Sequence, residues 1–150
     1  MRRLPVTGLP NICINFFDAW TNTKTLQGMK DNINSKITEH NAAAVVANSA
    51  LSYSVENDKI VVKTTTKFFQ NVDEYNISVL VLEDGVIANQ AGPNGGPNAS
   101  HHKVLRASNE DWGVTIVDGA KSAGSLVEQE ISITKDPSWN MENVEIATVI

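Results

Sequence analysis

Asn76-Ile77-Ser78-Val79-Leu80-Val81-Leu82-Glu83-Asp84-Gly85-Val86-Ile87-Ala88-Asn89-Gln90 is the stretch whose reading decides the fold. Asp84-Gly85 lies between two apolar runs, a strong hairpin signal, because a type I′ turn needs positive φ at both central residues. The run before it is apolar at Ile77, Val79 and Val81 and also at Leu80 and Leu82. It therefore reads as a central strand buried on both faces. Beyond Gln90 comes a Gly/Pro/Asn loop over residues 90–100, then His101-His102-Lys103-Val104-Leu105-Arg106-Ala107. Such a loop is a reasonable binding surface. The stretch speaks about fold, and no residue set in the chain announces an activity.

Upstream, Leu51, Tyr53 and Val55 alternate with Ser52, Ser54 and Glu56, the pattern of a half-buried strand. Asn57-Asp58 turns the chain into a second strand, with Ile60, Val62, Thr64 and Thr66 on one face. Before residue 42 the period differs. Leu26, Met29, Ile33 and Ile37 form one apolar stripe, so the spacing predicts an amphipathic helix over 24–39, capped by Asn22 or Thr23. Still earlier, Leu9-Pro10 places a rigid turn ahead of a short strand holding Ile12, Cys13 and Ile14.

Downstream, short strands are predicted at Val114-Thr115-Ile116-Val117, over 125–134 and from Val144 onward. In the second of these, Val127, Gln129, Ile131 and Ile133 oppose a wet face of Leu126, Glu128, Glu130 and Ser132. Many short strands separated by turn signals predict a mainly β protein. The expected architecture is an antiparallel β-sandwich, immunoglobulin-like or a jelly-roll-like Greek key, preceded by a short strand and one amphipathic helix. The expected division is a strand–helix segment over 1–41 and a β-sandwich domain over 42–150. The chain stops inside an apolar run at Ile150, so the sandwich is expected to continue beyond it.

The formal net charge of −5 argues against a general binder of phosphate backbones, which would carry a basic footprint. The single cysteine, Cys13, excludes an internal disulfide or a Cys-x-x-Cys pair within these residues and reads as a buried strand thiol. Met1-Arg2-Arg3 is followed by Pro5, Pro10 and Asn11 rather than an apolar h-region, so no export signal is expected in this chain. No stretch approaches the roughly 18 apolar residues of a membrane helix.

The chemical tests are negative. His101 and His102 are adjacent in an extended segment and point to opposite faces, which does not suit joint ligation of one metal. Arg106, among apolar neighbours, is expected to pair with Glu83 or Asp111. There is no Gly-x-Ser-x-Gly elbow, and residues 92–97 lack the Gly-Lys-Ser/Thr ending of a phosphate loop. Trp20, Trp112 and Trp139 read as core plugs ahead of a sugar-stacking face. Neither a catalytic residue, a cofactor nor a metal is expected. The candidate binding residues are Asn94, Asn98, His101, His102 and Trp112.

The run Val81-Leu82-Glu83-Asp84-Gly85-Val86-Ile87, then Gln90, His101-His102-Lys103-Val104-Leu105-Arg106-Ala107 and Trp112-Gly113, resembles a bacterial pattern. It is similar to the downstream β-domain of the outer-membrane-protein-twenty-eight-related family of Gram-negative cell-surface and periplasmic lipoproteins. Gly8-Leu9-Pro10-Asn11-Ile12-Cys13-Ile14-Asn15 likewise resembles the cis-proline strand near the end of the thioredoxin-like domain that precedes that β-domain. The resemblance implies a non-enzymatic envelope module, periplasmic or at the outer membrane, that mediates adhesion or binds a protein or glycan ligand. Its membrane association would run only through a lipid anchor absent from this chain, and no nucleic acid partner is implied. The alternative it implies is the docking domain of a thioredoxin-like oxidoreductase whose redox motif lies upstream.

Overall fold

The computed structural model describes residues 13–14, 17–18, 25–92, 95–111 and 113–150, the first four of these by backbone alone. The Leu9-Pro10 turn, the environment of Cys13, and Trp20, Asn94 and Trp112 lie outside the described residues. The chain divides into two compact units, Met1–Ala44 and Val45–Ile150.

In the first unit β1 (Cys13–Ile14) pairs antiparallel with β2 (Phe17–Asp18), and α1 follows over Leu26–Ala42. The cap is neither Asn22 nor Thr23 but Thr25, whose hydroxyl accepts from the Gly28 N–H at 3.1 Å, satisfying one of the orphan donors of the first turn. Of the apolar stripe, Met29 and Ile33 are half-buried, whereas Leu26 and Ile37 are exposed.

The second unit is an antiparallel β-sandwich. One sheet holds β3 (Ala47–Glu56), β4 (Lys59–Phe68) and β10 (Leu126–Thr134) in the order β10-β4-β3. The other is built on β5 (Val72–Glu83), flanked on one side by β11 (Val144–Val149). Along the opposite edge of β5 lie β8 (Val104–Ser108) and then β9 (Val114–Lys121), end to end. Asn109 keeps the ladder going between them: its N–H donates to the Val79 carbonyl at 3.2 Å and its Oδ1 accepts from the Val79 N–H at 2.8 Å. Where the chain rejoins β5, Gly113 has φ +74°, and a Cβ there would overlap the Ile77 carbonyl. Only glycine fits that approach.

The sequence alternation becomes one core. Ile60, Val62, Ile131 and Ile133 from the first sheet meet Ile77, Val79, Val81 and Val144 from the second in a single buried cluster. The face of Ile60, Val62, Thr64 and Thr66, which the alternation groups together, is the inner one. Its two hydroxyls are satisfied: Thr64 donates to the Gln129 carbonyl at 3.3 Å and Thr66 to the Ser49 hydroxyl at 3.1 Å. A second cluster joins Phe68, Val72 and Val117, with Tyr75 set edge-on to Phe68 at 5.2 Å between ring centroids.

Two expectations about β5 change. Its odd residues Ile77, Val79 and Val81 are buried, but Leu80 and Leu82 are only half-buried, so the strand is central in pairing while one face remains partly open. More consequentially, Asp84-Gly85 does not close a hairpin. The strand after it, β6 (Val86–Gln90), pairs with β7 (Gly96–His101) and not with β5, whose edges belong to β11, β8 and β9. Gly85 has φ 70°, but Asp84 is not among the positive-φ residues, so the type I′ condition fails.

Candidate functional site

The registers show what Asp84-Gly85 does instead. Glu83 faces Val104, and two residues further out Val86 faces His101. Asp84-Gly85 therefore stands opposite His102-Lys103, and the two dipeptides kink a single antiparallel ribbon. Inside the kink the ribbon is β5–β8 of the sandwich; outside it is β6–β7, an arm. The chain reverses at the arm's tip, where the Gly95 N–H donates to the Gly92 carbonyl at 3.0 Å. The predicted long loop over 90–100 is thus shorter, because Gly96–His101 is strand.

The root of the arm is held by charge. Asp84 Oδ1 accepts from the Lys103 backbone N–H at 2.7 Å, which fastens one dipeptide to the other. Lys103 has φ 52°, an uncommon backbone for a residue with a side chain, and this bond helps hold it there. The Lys103 ammonium reaches Asp84 Oδ2 at 3.8 Å and forms a close ion pair with Glu145 on β11. His102 Nδ1 lies 3.9 Å from Asp84 Oδ1. On the other side the Asp84 N–H donates to the Asn143 carbonyl at 3.1 Å. The bond from the Lys103 N–H, then the charges of Lys103 and His102, hold the Asp84 carboxyl below its usual range. The bond to Glu145, reinforced by Asp84, raises the Lys103 ammonium.

Just inside the root, β8 carries a bulge. Val81 faces Ala107 and Leu82 faces Leu105, leaving Arg106 without an opposite residue. The Arg106 Nε lies 2.8 Å from Glu83 Oε2, so of the two expected partners Glu83 is the one found. The approach lies off the line of a good hydrogen bond, so the contact is chiefly ionic. The other Glu83 oxygen accepts from the Asn140 N–H at 2.9 Å. This buried carboxylate ties β5 to β8 and to the segment entering β11.

Of the residues expected at the site, Asn98 is exposed on β7, His101 ends β7 half-buried, and His102 is exposed in the kink. The structure therefore brings Asn98, His101 and His102 onto one ribbon, while Asn94 and Trp112 lie outside the described residues. Trp139 packs against the main core cluster, in the role of a plug. Sequence reasoning missed Asp84, Lys103 and Glu145 as the fastening. The signal for the first two was their symmetric placement about the tip, visible only once the register is known. Among the described residues no group of three His, Cys, Asp or Glu side chains is placed to hold a metal, and no helix is long and apolar enough to cross a membrane.

No family model, curated protein or solved structure matches this chain.

Proposed function

We propose that this chain is a non-enzymatic binding module, set in the bacterial envelope, whose arm β6–β7 contacts a protein or glycan ligand. The observation that carries this reading is the arm itself. Its described residues take no part in either buried cluster, Ile87 on it is 61% exposed, and its root is fastened by Asp84, Lys103 and Glu145. A ribbon that adds nothing to the core yet is anchored at a defined kink fits presentation of a surface rather than stabilisation of the fold. A two-stranded ribbon also leaves an outer backbone edge on each strand, and such edges recognise extended chains by main-chain hydrogen bonding. The envelope setting rests on the sequence resemblance.

The test compares the full chain with a form in which residues 87–100 are replaced by Asn-Gly. Both are screened against arrayed glycans and extracellular matrix proteins, with circular dichroism as the control for folding. Binding by the full chain that disappears on shortening the arm is the expected result. Absence of binding by the full chain, or binding indifferent to the arm, counts against the proposal.

A further inference from the structure

The sandwich has an edge that is open in a way its other edges are not. β10 is the far edge of the first sheet and carries Glu128 and Glu130, charges that discourage pairing with another strand. In the second sheet the β8–β9 edge is shifted in register at several points, and β11, the opposite edge, is only six residues long and carries Glu145 within it. β3, at the other end of the first sheet, has none of these protections. Its ladder with β4 runs unbroken from Ala47 opposite Phe68 to Glu56 opposite Lys59, and it has no proline and no charged residue before Glu56. Side chains that point to the core side of this strand remain open, with Tyr53 48% and Val55 47% exposed although they stand opposite the fully buried Val62 and Ile60.

We propose that β3 is a dimerisation edge, pairing antiparallel with β3 of a second copy of this chain to make one continuous six-stranded sheet.

The register follows from the backbone and the faces. The Phe69 N–H donates to the Val46 carbonyl, so even-numbered residues direct their backbone groups toward β4. Backbone direction alternates along a strand, so Ser49, Leu51, Tyr53 and Val55 direct theirs outward. The inner face of β3 also consists of odd residues, since Ala47, Leu51 and Val55 oppose buried Phe68, Thr64 and Ile60. A continuous sheet requires inner residues to oppose inner residues. Centring the two-fold axis on Ser52 meets both conditions over residues 48–56. Leu51 then faces the partner's Tyr53 in a hydrogen-bonded pair, covering apolar surface that the single chain leaves wet.

Charge favours the same register and the same occupant. Glu56, the strand's one charged residue, falls opposite the partner's Asn48, so the two carboxylates are kept apart. Asn48 stands beside Lys67 on β4. Lys67 lies over the Phe69 ring at 5.5 Å and has no carboxylate partner among the described residues. Two strand spacings of about 4.8 Å separate its backbone from that of the partner's Glu56, a gap the two side chains can span over the intervening asparagine. The two-fold axis makes this contact twice. An isologous pair uses up both edges and so closes rather than propagating.

Analytical ultracentrifugation of the full chain over a concentration series is expected to show a monomer–dimer equilibrium. Ser52→Lys sets two ammonium groups against each other at the axis and is expected to leave monomer alone. Ser52 is exposed on the outer face, and the Lys63 opposite it on β4 already has Glu130 at 3.6 Å. The added ammonium therefore costs the single chain little, and an unchanged circular dichroism spectrum accompanies that result. In a Cys13→Ser background, Ser52→Cys is expected to cross-link two chains on oxidation, because residues facing in a non-hydrogen-bonded pair approach to about 4.5 Å between Cα atoms. Ala50→Cys, displaced from the axis, is expected not to cross-link. A chain that stays monomeric at its highest attainable concentration overturns the proposal, whatever other strand the edge accepts. So does a dimer that survives Ser52→Lys, or cross-linking at residue 50 in preference to 52.

Discussion

One antiparallel ribbon passes through two environments in this protein. Inside the kink, β5 has neighbours on both edges and buries Ile77, Val79 and Val81 completely. Outside it, the same ribbon continues as β6–β7, with no third strand beside it among the described residues, and Ile87 is largely exposed. Both halves have comparable β propensity, with Ile77-Ser78-Val79 in one and Val86-Ile87-Ala88 in the other. What separates them is tertiary pairing and burial, and only the inner half can contribute hydrophobic stabilisation of the order of 1.5–3 kcal/mol per large side chain.

The largest effect is expected at Phe68, in the buried body of the sandwich. Phe68 is fully buried where the first sheet passes its chain to β5. Phe68→Ala is expected to lower the unfolding free energy by about 3–5 kcal/mol in urea titration. A loss below about 1 kcal/mol would show that the second cluster is loose. Glu83→Ala comes next, because it strands the Arg106 charge and leaves the Asn140 N–H without its acceptor. Arg106 retains some solvent, so the expected cost is about 2–3 kcal/mol rather than the larger figure for a fully dry pair. Chemical denaturation with Glu83→Gln alongside separates charge from hydrogen bonding: the amide keeps an acceptor and should recover part of the loss.

These two residues also show where sequence could lead and where it could not. The body was legible because strand period is local. The alternation in β4 and β10 can be read within a few residues and groups Ile60 with Val62 and Ile131 with Ile133 on the faces that are buried, whereas the same alternation in β3 leaves Tyr53 and Val55 exposed. The pairing of Arg106 with Glu83 was within reach because an arginine among apolar neighbours needs a carboxylate. The arm was not legible, although its residues were noticed. Asp-Gly is a local signal for reversal, but β5 pairs with β11 from more than sixty residues later, and that long-range partner occupies an edge the local reading reserves for β6. The helix stripe misleads in a related way, since periodicity marks Leu26 and Ile37 as apolar positions without saying that they are covered.

On the arm the expected effects become small, which is what sharpens the contrast. Ile87→Ala removes more side chain than many damaging core substitutions, yet is expected to alter global stability by no more than about 0.5 kcal/mol. The urea transition midpoint reads this directly. A shift comparable to that of Phe68→Ala would mean that the arm is packed, and the two halves of the ribbon would no longer differ in kind.

The smallest expected effect is local and lies at the kink. Asp84 accepts the Lys103 N–H, and that bond, with the nearby Lys103 and His102 charges, depresses its pKa below the ordinary 3.8. A depressed carboxylate contributes stability that is fully present above the ordinary value and is lost as pH falls through the folded one. The Lys103 N–H should therefore titrate in chemical shift and exchange protection with a midpoint below 3.8. Nuclear magnetic resonance titration of that amide measures the midpoint, and Asp84→Asn should abolish the step because its side chain no longer titrates. Amides of β4 and β10 should not respond with the same midpoint, since their ladder does not pass through the kink. A Lys103 midpoint at or above 3.8 would remove Asp84 as the fastening, and a shared midpoint with β4 would show that arm and body open as one unit. Separate midpoints would instead show that the root opens alone, leaving the sandwich intact while the direction of the arm is released.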